Sequence, residues 1–117
     1  MNQLHEHSSA IDSIAGHAKR FSIPTTSLRD AINGGRLAVG RITESTTGIK
    51  FYELSSIDLE RLHDGLVAQH LRKLAGLFPG KSQIELSREV SRVLKEVTLE
   101  QVKMEEFALK SSTKKTS

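Results

Sequence analysis

The sequence predicts a mainly α-helical fold that contains one small β-hairpin. Apolar residues recur at intervals of three or four over several segments, a spacing that places them on one face of a helix. Two short runs rich in β-branched and aromatic residues, RLAVGRIT and GIKFYEL, interrupt this spacing and are joined by a polar turn. Only 4% of the 117 residues are aromatic and none is tryptophan, so the core is expected to consist of leucine, isoleucine, valine and alanine side chains.

The beginning of the chain is predicted to be a flexible leader, because residues 1–11 are polar and have no apolar periodicity. A short helix is expected to follow and to end near residue 21. Asp12 or Ser13 would be its N-cap, since their side-chain oxygens accept hydrogen bonds from the free N–H groups of a first helical turn. The apolar side of this helix consists of Ile14, Ala15, Ala18 and Phe21.

A second helix is predicted from about Pro24 to Asn33. Proline cannot donate a backbone hydrogen bond, but it suits the first turn of a helix, where the N–H groups have no helical acceptor. Gly34 and Gly35 follow, and glycine readily adopts the left-handed backbone that ends many helices. The apolar face of this helix consists of Leu28, Ala31 and Ile32.

The β-hairpin comes next, and successive residues of its strands are expected to point to opposite faces. On this pattern Leu37, Val39 and Phe51 could cover the two helices. Arg41 and Lys50 would then remain in solvent. The tip of the hairpin is the polar segment ESTTG.

Two long helices complete the predicted fold. Ser55 or Ser56 is expected to cap the first of these helices, and the turn FPGK is expected to end it. Ser82 and Glu85 have the spacing of a capping box, in which each residue accepts a hydrogen bond from the backbone of the other, and they begin the second. Apolar residues at helical spacing in these two helices include Leu59, Leu62, Leu66, Leu71, Leu74, Leu86, Val90, Val93 and Val97.

These two helices span residues 56–110 and are expected to form an antiparallel hairpin. Thr98 and Gln101 could mark a restart within the second of them. Because the apolar surface is too extensive to remain bare, it must cover the first domain or a second copy of the chain. We expect a homodimer through residues 56–110; the alternative is that the helices complete the core of a monomer. Residues 111–117 are predicted to be a disordered basic tail.

The charge of the chain gives only weak support for a nucleic-acid partner. The pI is about 9.4, but the net charge is +3. Residues 1–55 contain six basic and five acidic side chains, and residues 56–110 contain nine of each. Most of the positive excess therefore lies in the tail, so any argument for DNA binding depends on where individual cations lie.

Several classes of function are disfavoured by what the sequence lacks. Without cysteine there are no disulfides or thiolate metal sites, and no apolar run approaches the ~20 residues that span a bilayer. The segment MNQLHEHSSA lacks the features of a signal peptide, so we expect a cytoplasmic protein without membrane association. No nucleophile or phosphate-loop motif occurs, and we predict no enzymatic activity, no cofactor and no metal site. The histidines, expected on the surface or in packing, are His5, His7, His17, His63 and His70.

The N-terminal turn of the second helix is the main candidate functional site. When a tight turn joins two helices, this part of the second helix can enter the major groove of DNA. Hydroxyl groups there could bind phosphates or base edges, and arginine can bind guanine through two hydrogen bonds. The alternative is that Thr25 or Ser27 caps the helix and that Arg29 is a solvated charge. The candidate DNA-binding residues of this turn are Thr25, Thr26, Ser27 and Arg29.

Other basic side chains extend this candidate surface. Arg36 follows the second helix, and Arg41 and Lys50 flank the tip of the hairpin, where they could contact phosphates or a minor groove. Lys19 and Arg20, at the end of the first helix, belong to the same set. The alternative is that the hairpin is a structural cap with ordinary surface cations.

Taken together, residues at about 12–62, IAGHAKRFSIPTTSLRDAINGGRLAVGRI…FYELSSIDLERL, resemble the winged helix-turn-helix that phage excisionases and MerR-type regulators share. Two features depart from that family: Ser22 stands where the turn usually has glycine, and the residues STTG lengthen the wing. The absence of cysteine also excludes thiolate metal sensing. The matching residues are Ala18, Phe21, Ile23, Pro24, Leu28, Arg29, Ile32, Gly35, Arg36, Leu37, Tyr52, Ser55, Asp58 and Leu59.

The resemblance implies a DNA-binding domain at residues 12–60, with the second helix in the major groove and the wing on the backbone. The implied function is sequence-specific binding of double-stranded DNA by a small transcriptional regulator or an excisionase-like accessory protein, bacterial or phage-encoded and nucleoid-associated. Two alternatives remain. One is a DNA-packaging module, similar to small terminase subunits, or a replication module. The other is a protein–protein adaptor that has lost DNA binding and uses its C-terminal hairpin as the working surface.

Overall fold

In the computed structural model, which describes residues 9–116, the chain is mainly α-helical and contains a small three-stranded antiparallel sheet. This confirms the predicted balance of helix and strand. In chain order the elements are β1 (Ser9–Ser13), α1 (Ile14–Phe21), α2 (Thr25–Asn33), β2 (Val39–Glu44), β3 (Lys50–Ser55), α3 (Ser56–Leu77) and α4 (Gln83–Thr116).

The first two helices are joined by a turn of three residues. Ser13 caps α1, and its hydroxyl accepts a hydrogen bond from the backbone N–H of Gly16 at 3.1 Å. Ser22 ends α1 in the left-handed conformation, with φ at 55°. The N–H of Ile23 donates to the carbonyl of Ala18 at 3.1 Å, and the Ile23 side chain is fully buried. The turn therefore holds α2 against α1 through both a backbone hydrogen bond and a core side chain.

The predicted β-hairpin is confirmed, because β2 and β3 pair in antiparallel fashion. Its turn is closed by the Ser45 N–H, which donates to the Ile49 carbonyl at 2.9 Å, and Gly48 supplies a positive φ of 88°. Leu37 is buried and Val39 packs against the core, as predicted. The prediction for Phe51 was wrong: β3 contributes Tyr52 and Leu54 to the core, and Phe51, at the alternate position, points to the other face of the sheet.

A third strand lies where the sequence predicts a leader. Residues 9–13 form β1, which pairs with the other edge of β3, so that the sheet order is β1-β3-β2. The prediction of a flexible leader over residues 1–11 is therefore corrected for residues 9–11; residues 1–8 lie outside the described residues. Strand pairing satisfies the free backbone groups of β3 and needs no apolar periodicity in the added strand, which is why the pattern did not predict it.

The two long helices begin with side-chain caps. The Ser55 hydroxyl accepts a hydrogen bond from the Asp58 N–H at 3.4 Å. The capping box at α4 is confirmed in both directions, since the Glu85 N–H donates to the Ser82 hydroxyl and the Ser82 N–H donates to the Glu85 carboxylate, each at 3.2 Å.

Helix α4 continues without interruption through the region where a restart was expected. The hydroxyl of Thr98 is buried and donates to the Leu94 carbonyl at 2.7 Å, so this residue bonds back within the helix. The helix is described as far as Thr116 and so includes residues 111–116, for which a disordered tail was predicted; residue 117 lies outside the described residues. Extending an existing helix adds one hydrogen bond per residue fixed and requires no new nucleation.

One core unites the helices with the sheet, and α4 belongs to it. Its buried residues come from α1, the α1–α2 turn, α2, the α2–β2 connection, β3 and α3, together with Val102 of α4. Helix α4 packs against α1 and α2 as well as against α3. The C-terminal hairpin is therefore continuous with the N-terminal part of the molecule. The buried cluster consists of Ile14, Ala18, Ile23, Leu28, Ala31, Leu37, Leu54, Leu59 and Val102.

No helix within residues 9–116 is long and apolar enough to cross a membrane.

The first prediction concerns Leu54, which is 1% exposed on the central strand. Leu54→Ala should lower the free energy of unfolding by about 2–5 kcal/mol, because it leaves a cavity in the shared core. Leu77→Ala is the matched control, since Leu77 is 71% exposed, and it should cost at most about 0.5 kcal/mol. Urea denaturation measures both values. Equal losses would contradict the central position of Leu54.

The second prediction concerns the left-handed backbone of Ser22. Ser22→Gly should raise the free energy of unfolding by about 0.5–1 kcal/mol, because the relieved strain of a side chain in this conformation exceeds the added entropy of the unfolded chain. Ser91→Gly, at an exposed position inside α4, should instead lower it by about 0.5 kcal/mol. Thermal unfolding of the two variants checks the opposite signs, and a loss of stability on Ser22→Gly would contradict the assigned strain.

Candidate nucleic-acid interface

The N-terminal turn of α2 is in contact with α4. Pro24 is the N-cap residue and makes no side-chain capping hydrogen bond. Gln101 of α4 supplies the missing acceptor: its Oε1 accepts from the Thr25 hydroxyl at 3.0 Å and from the Thr26 N–H at 3.3 Å. Thr25 is buried and Thr26 is exposed. Within this structure, both threonines of the predicted DNA-reading turn are therefore bound to a side chain of the same chain.

One helical turn further along, Arg29 makes a second contact with α4. Its Nη2 donates to Oε1 of Glu105 at 2.6 Å, with the arginine side chain 47% exposed and the glutamate 24% exposed. Thr25 and Arg29 are four residues apart, as are Gln101 and Glu105, so the two helices meet along matching faces. The other carboxylate oxygen, Oε2 of Glu105, is buried and has no hydrogen-bond partner among the described residues.

The remaining candidate residues have various surroundings. Ser27 is half-buried and Arg36 is exposed. Arg41 is exposed, with its Nε 3.8 Å from a carboxylate oxygen of Glu53 on the neighbouring strand. Arg20 donates to the Asp12 carboxylate at 2.5 Å, which ties the end of α1 to β1.

A groove of about 630 Å³ brings three of the candidate cations together. We call it the basic groove; Lys19 of α1, Arg29 of α2 and Lys50 of β3 each line it. These three candidate residues come from the first helix, the second helix and the hairpin, and they line the same groove. Arg20, Arg36 and Arg41 lie outside the lining. The full lining is residues 12–16, Lys19, Arg29, residues 48–52, Glu105 and Glu106.

Carboxylates in the basic groove offset its cations. Asp12 at the end of β1 and two residues of α4, Glu105 and Glu106, also line it, so three negative groups face three positive ones. Two of the three carboxylates belong to α4. Without these two, the lining would have a net charge of +2, which favours an anionic ligand. The charge of the groove is therefore determined by the position of α4.

His17 has a structural contact. It is fully buried, and its Nε2 lies 2.8 Å from the Tyr52 carbonyl oxygen, which joins α1 to β3. Because a carbonyl oxygen can only accept, Nε2 must bear the proton. His5 and His7 lie outside the described residues. No group of three histidine, aspartate or glutamate side chains within the described part of the chain could hold a metal ion.

The contribution of Gln101 and Glu105 was missed by sequence reasoning. Their spacing of four residues puts them on one face of a helix, and this was the available signal. That face could not be assigned to α2, however, because the apolar pattern of α4 does not specify which neighbour it packs against.

No protein-family model matches this chain, and no curated protein or solved structure matches it either. The functional interpretation therefore depends on the residues and contacts described above.

Proposed function

We propose that the protein binds double-stranded DNA sequence-specifically through a winged helix-turn-helix made of α1, α2 and the β2–β3 hairpin. The observation that carries this proposal is the basic groove, in which Lys19, Arg29 and Lys50 come from all three of these elements. Cations that meet from separate elements can contact one duplex together, at its phosphates and at its base edges. The order of helix, tight turn, helix and hairpin supports the same reading.

The role proposed for each candidate residue follows from the element on which it lies. Thr26, Ser27 and Arg29, in the first turns of α2, would face base edges in the major groove. Lys50, Arg36 and Arg41 would contact the DNA backbone, as would Lys19 and Arg20 at the end of α1. Contacts with phosphates fix the register of a protein on the duplex, and contacts with bases supply the sequence preference.

We infer a role as a small transcriptional regulator or an excisionase-like accessory protein in a bacterial or phage setting. Selection of bound sequences from a random duplex pool is the experiment that tests sequence preference. A palindromic consensus would support a dimeric regulator, and direct repeats would support an excisionase-like array. Recovery of unenriched sequences would contradict sequence-specific binding.

A second candidate function, a protein–protein adaptor, is favoured by one observation. Gln101 and Glu105 cover the first turn of α2, and Glu105 with Glu106 offsets the charge of the basic groove. In an adaptor, α4 would keep these contacts with α2 permanently, and the first turn of α2 would not be available to DNA. The adaptor would show no salt-dependent affinity for a duplex, whereas DNA binding through phosphates weakens steeply as salt rises.

We also propose that two copies of the chain associate through α4. Among the large apolar side chains of α4 that are exposed in the described residues, four have a spacing that puts them on the side away from Val102. Water contact with so much apolar area is unfavourable, and a dimer would present two half-sites to DNA. The exposed residues of this outer stripe are Val93, Val97, Met104 and Phe107.

The third prediction tests DNA binding through the salt dependence of affinity. On a selected duplex, Lys50→Ala should reduce the slope of log affinity against log salt by about 0.9, because one phosphate contact is lost. Lys73→Ala, at an exposed position of α3 outside the basic groove, should leave the slope unchanged. Fluorescence anisotropy at several salt concentrations gives the slopes. A wild-type slope near zero would favour the adaptor.

The fourth prediction tests the dimer. Met104→Lys places a charge in the outer stripe and should shift the protein from dimer to monomer, because burying an unpaired ammonium group is costly. Ile42→Lys is the matched control, since Ile42 is an exposed apolar residue of β2, and it should leave the dimer intact. Sedimentation equilibrium gives the masses. A monomeric wild-type protein at high concentration would refute the proposal.

A further inference from the structure

We propose that residues 101–106 of α4, here called the α4 cover, occupy the proposed DNA-binding surface in this structure and are displaced from it when DNA binds. The inference rests on the proposed DNA binding. In the state described here the cover closes the first turn of α2 and part of the basic groove. DNA binds after this segment moves away from α2.

The contacts of the α4 cover are those that a nucleic acid would otherwise make. Gln101 accepts hydrogen bonds from the Thr25 hydroxyl and from the Thr26 N–H, donors that are suited to phosphate or base acceptors. Glu105 presents a carboxylate to the guanidinium of Arg29 at 2.6 Å. While α4 is in this position, Gln101 and Glu105 occupy the hydrogen-bonding positions that a base or a phosphate would take at these three groups.

The two carboxylates of the α4 cover also place negative charge where the DNA backbone would place it. Glu105 and Glu106 line the basic groove together with Lys19, Arg29 and Lys50. A phosphodiester backbone would bring negative groups to the same cations. The cover and DNA therefore compete for one set of positive side chains, and both cannot satisfy them at once.

The polar contacts between the α4 cover and α2 contribute little to holding the cover in place, so the burial of Val102 is the main contribution that DNA must offset. The Arg29 side chain is 47% exposed, and ion pairs in such partly solvated surroundings contribute little. Oε2 of Glu105 is buried with no hydrogen-bond partner among the described residues, an unfavourable state that release would relieve. Val102 is the buried apolar side chain of the cover that release must expose, while Lys103 and Met104 are already exposed.

The proposed point of bending in helix α4 lies just before the α4 cover. The Thr98 hydroxyl donates to the Leu94 carbonyl at 2.7 Å, and threonine side chains that bond back in this way often bend helices. Before this point Leu86 and Val90 are buried, in the part of α4 that begins the hairpin with α3. The first half of α4 can therefore stay packed while the cover leaves.

The first measurement is the DNA affinity of full-length variants. Gln101→Ala removes the acceptor for both threonines without changing charge, and it should raise affinity for a selected duplex about fivefold by favouring the open state. Glu105→Gln should do the same. Glu89→Gln is the charge-matched control, because Glu89 pairs with Arg92 on the surface of α4, and it should change affinity less than twofold.

The second measurement reports the position of the α4 cover directly. Because the chain has no cysteine, Val102→Cys creates a single buried thiol. Its reaction with a thiol reagent should become several-fold faster when the duplex is added. Val90→Cys, a buried position in the first half of α4, should react at the same slow rate with and without DNA.

Two different outcomes would overturn the proposal: one would contradict the displacement of the cover, and the other would contradict DNA binding itself. If wild-type protein and the Gln101→Ala variant bind DNA equally, and the duplex does not speed labelling at Val102→Cys, the protein binds DNA without displacing the α4 cover. If no variant binds the duplex, although Glu105→Gln speeds labelling at Val102→Cys, the proposed function fails, and the moving segment masks nothing.

Discussion

The burial of Val102 against the N-terminal helices is the constraint on which the rest of the structure depends. This side chain lies in the same cluster as residues of α1, α2 and β3, so it fixes both the position of α4 and its rotation about its own axis. Once Val102 points into the core, Gln101 and Glu105 must lie beside it on the face that meets α2. The hydrogen bond to Thr25 and the ion pair with Arg29 follow from that rotation. Among the buried residues of α4, Val102 belongs to the shared core and lies beside the polar groups that face the candidate site.

The same constraint explains why the total charge of the chain says little about its partner. A net charge of +3 suggests a weakly basic surface. In the folded chain the positive groups of the basic groove face Glu105 and Glu106, which lie more than fifty positions after Lys50. The folding of α4 onto the groove cancels charges that are far apart in sequence. The electrostatic character of the site is therefore a property of the arrangement of α4, and it changes if that arrangement changes.

Patterns within a few residues of each other predicted most of the helices and strands. They could not predict contacts between segments that are far apart in the sequence. The caps at Ser13 and at Ser82, and the β-hairpin, depend on residues within a few positions of each other. Strand β1 depends on the free edge of β3, about forty residues away, and its own sequence has no strand periodicity. Within the candidate site, Lys19, Arg29 and Lys50 were each identified from residue type and position, but their shared groove needed the fold. The contact of Gln101 with α2 could not be predicted. Because α4 has apolar residues on two sides, the sequence does not show which side packs against the N-terminal helices.

Those two apolar sides connect the proposed dimer to the proposed cover. Val102 lies on the inner side of α4 and Met104 on the outer stripe, and Glu105 is the next residue along the helix. A second copy seated on Met104 and Phe107 would hold this part of α4 straight, and would thereby hold Glu105 on Arg29. The proposed dimer would join two half-sites for DNA, but each of its protomers would bind DNA only after its own cover has moved, so the affinity of each single site would be lower in the dimer than in the monomer. Linkage requires the effect to be reciprocal, so DNA that displaces the cover would weaken the association of the two copies by the same factor.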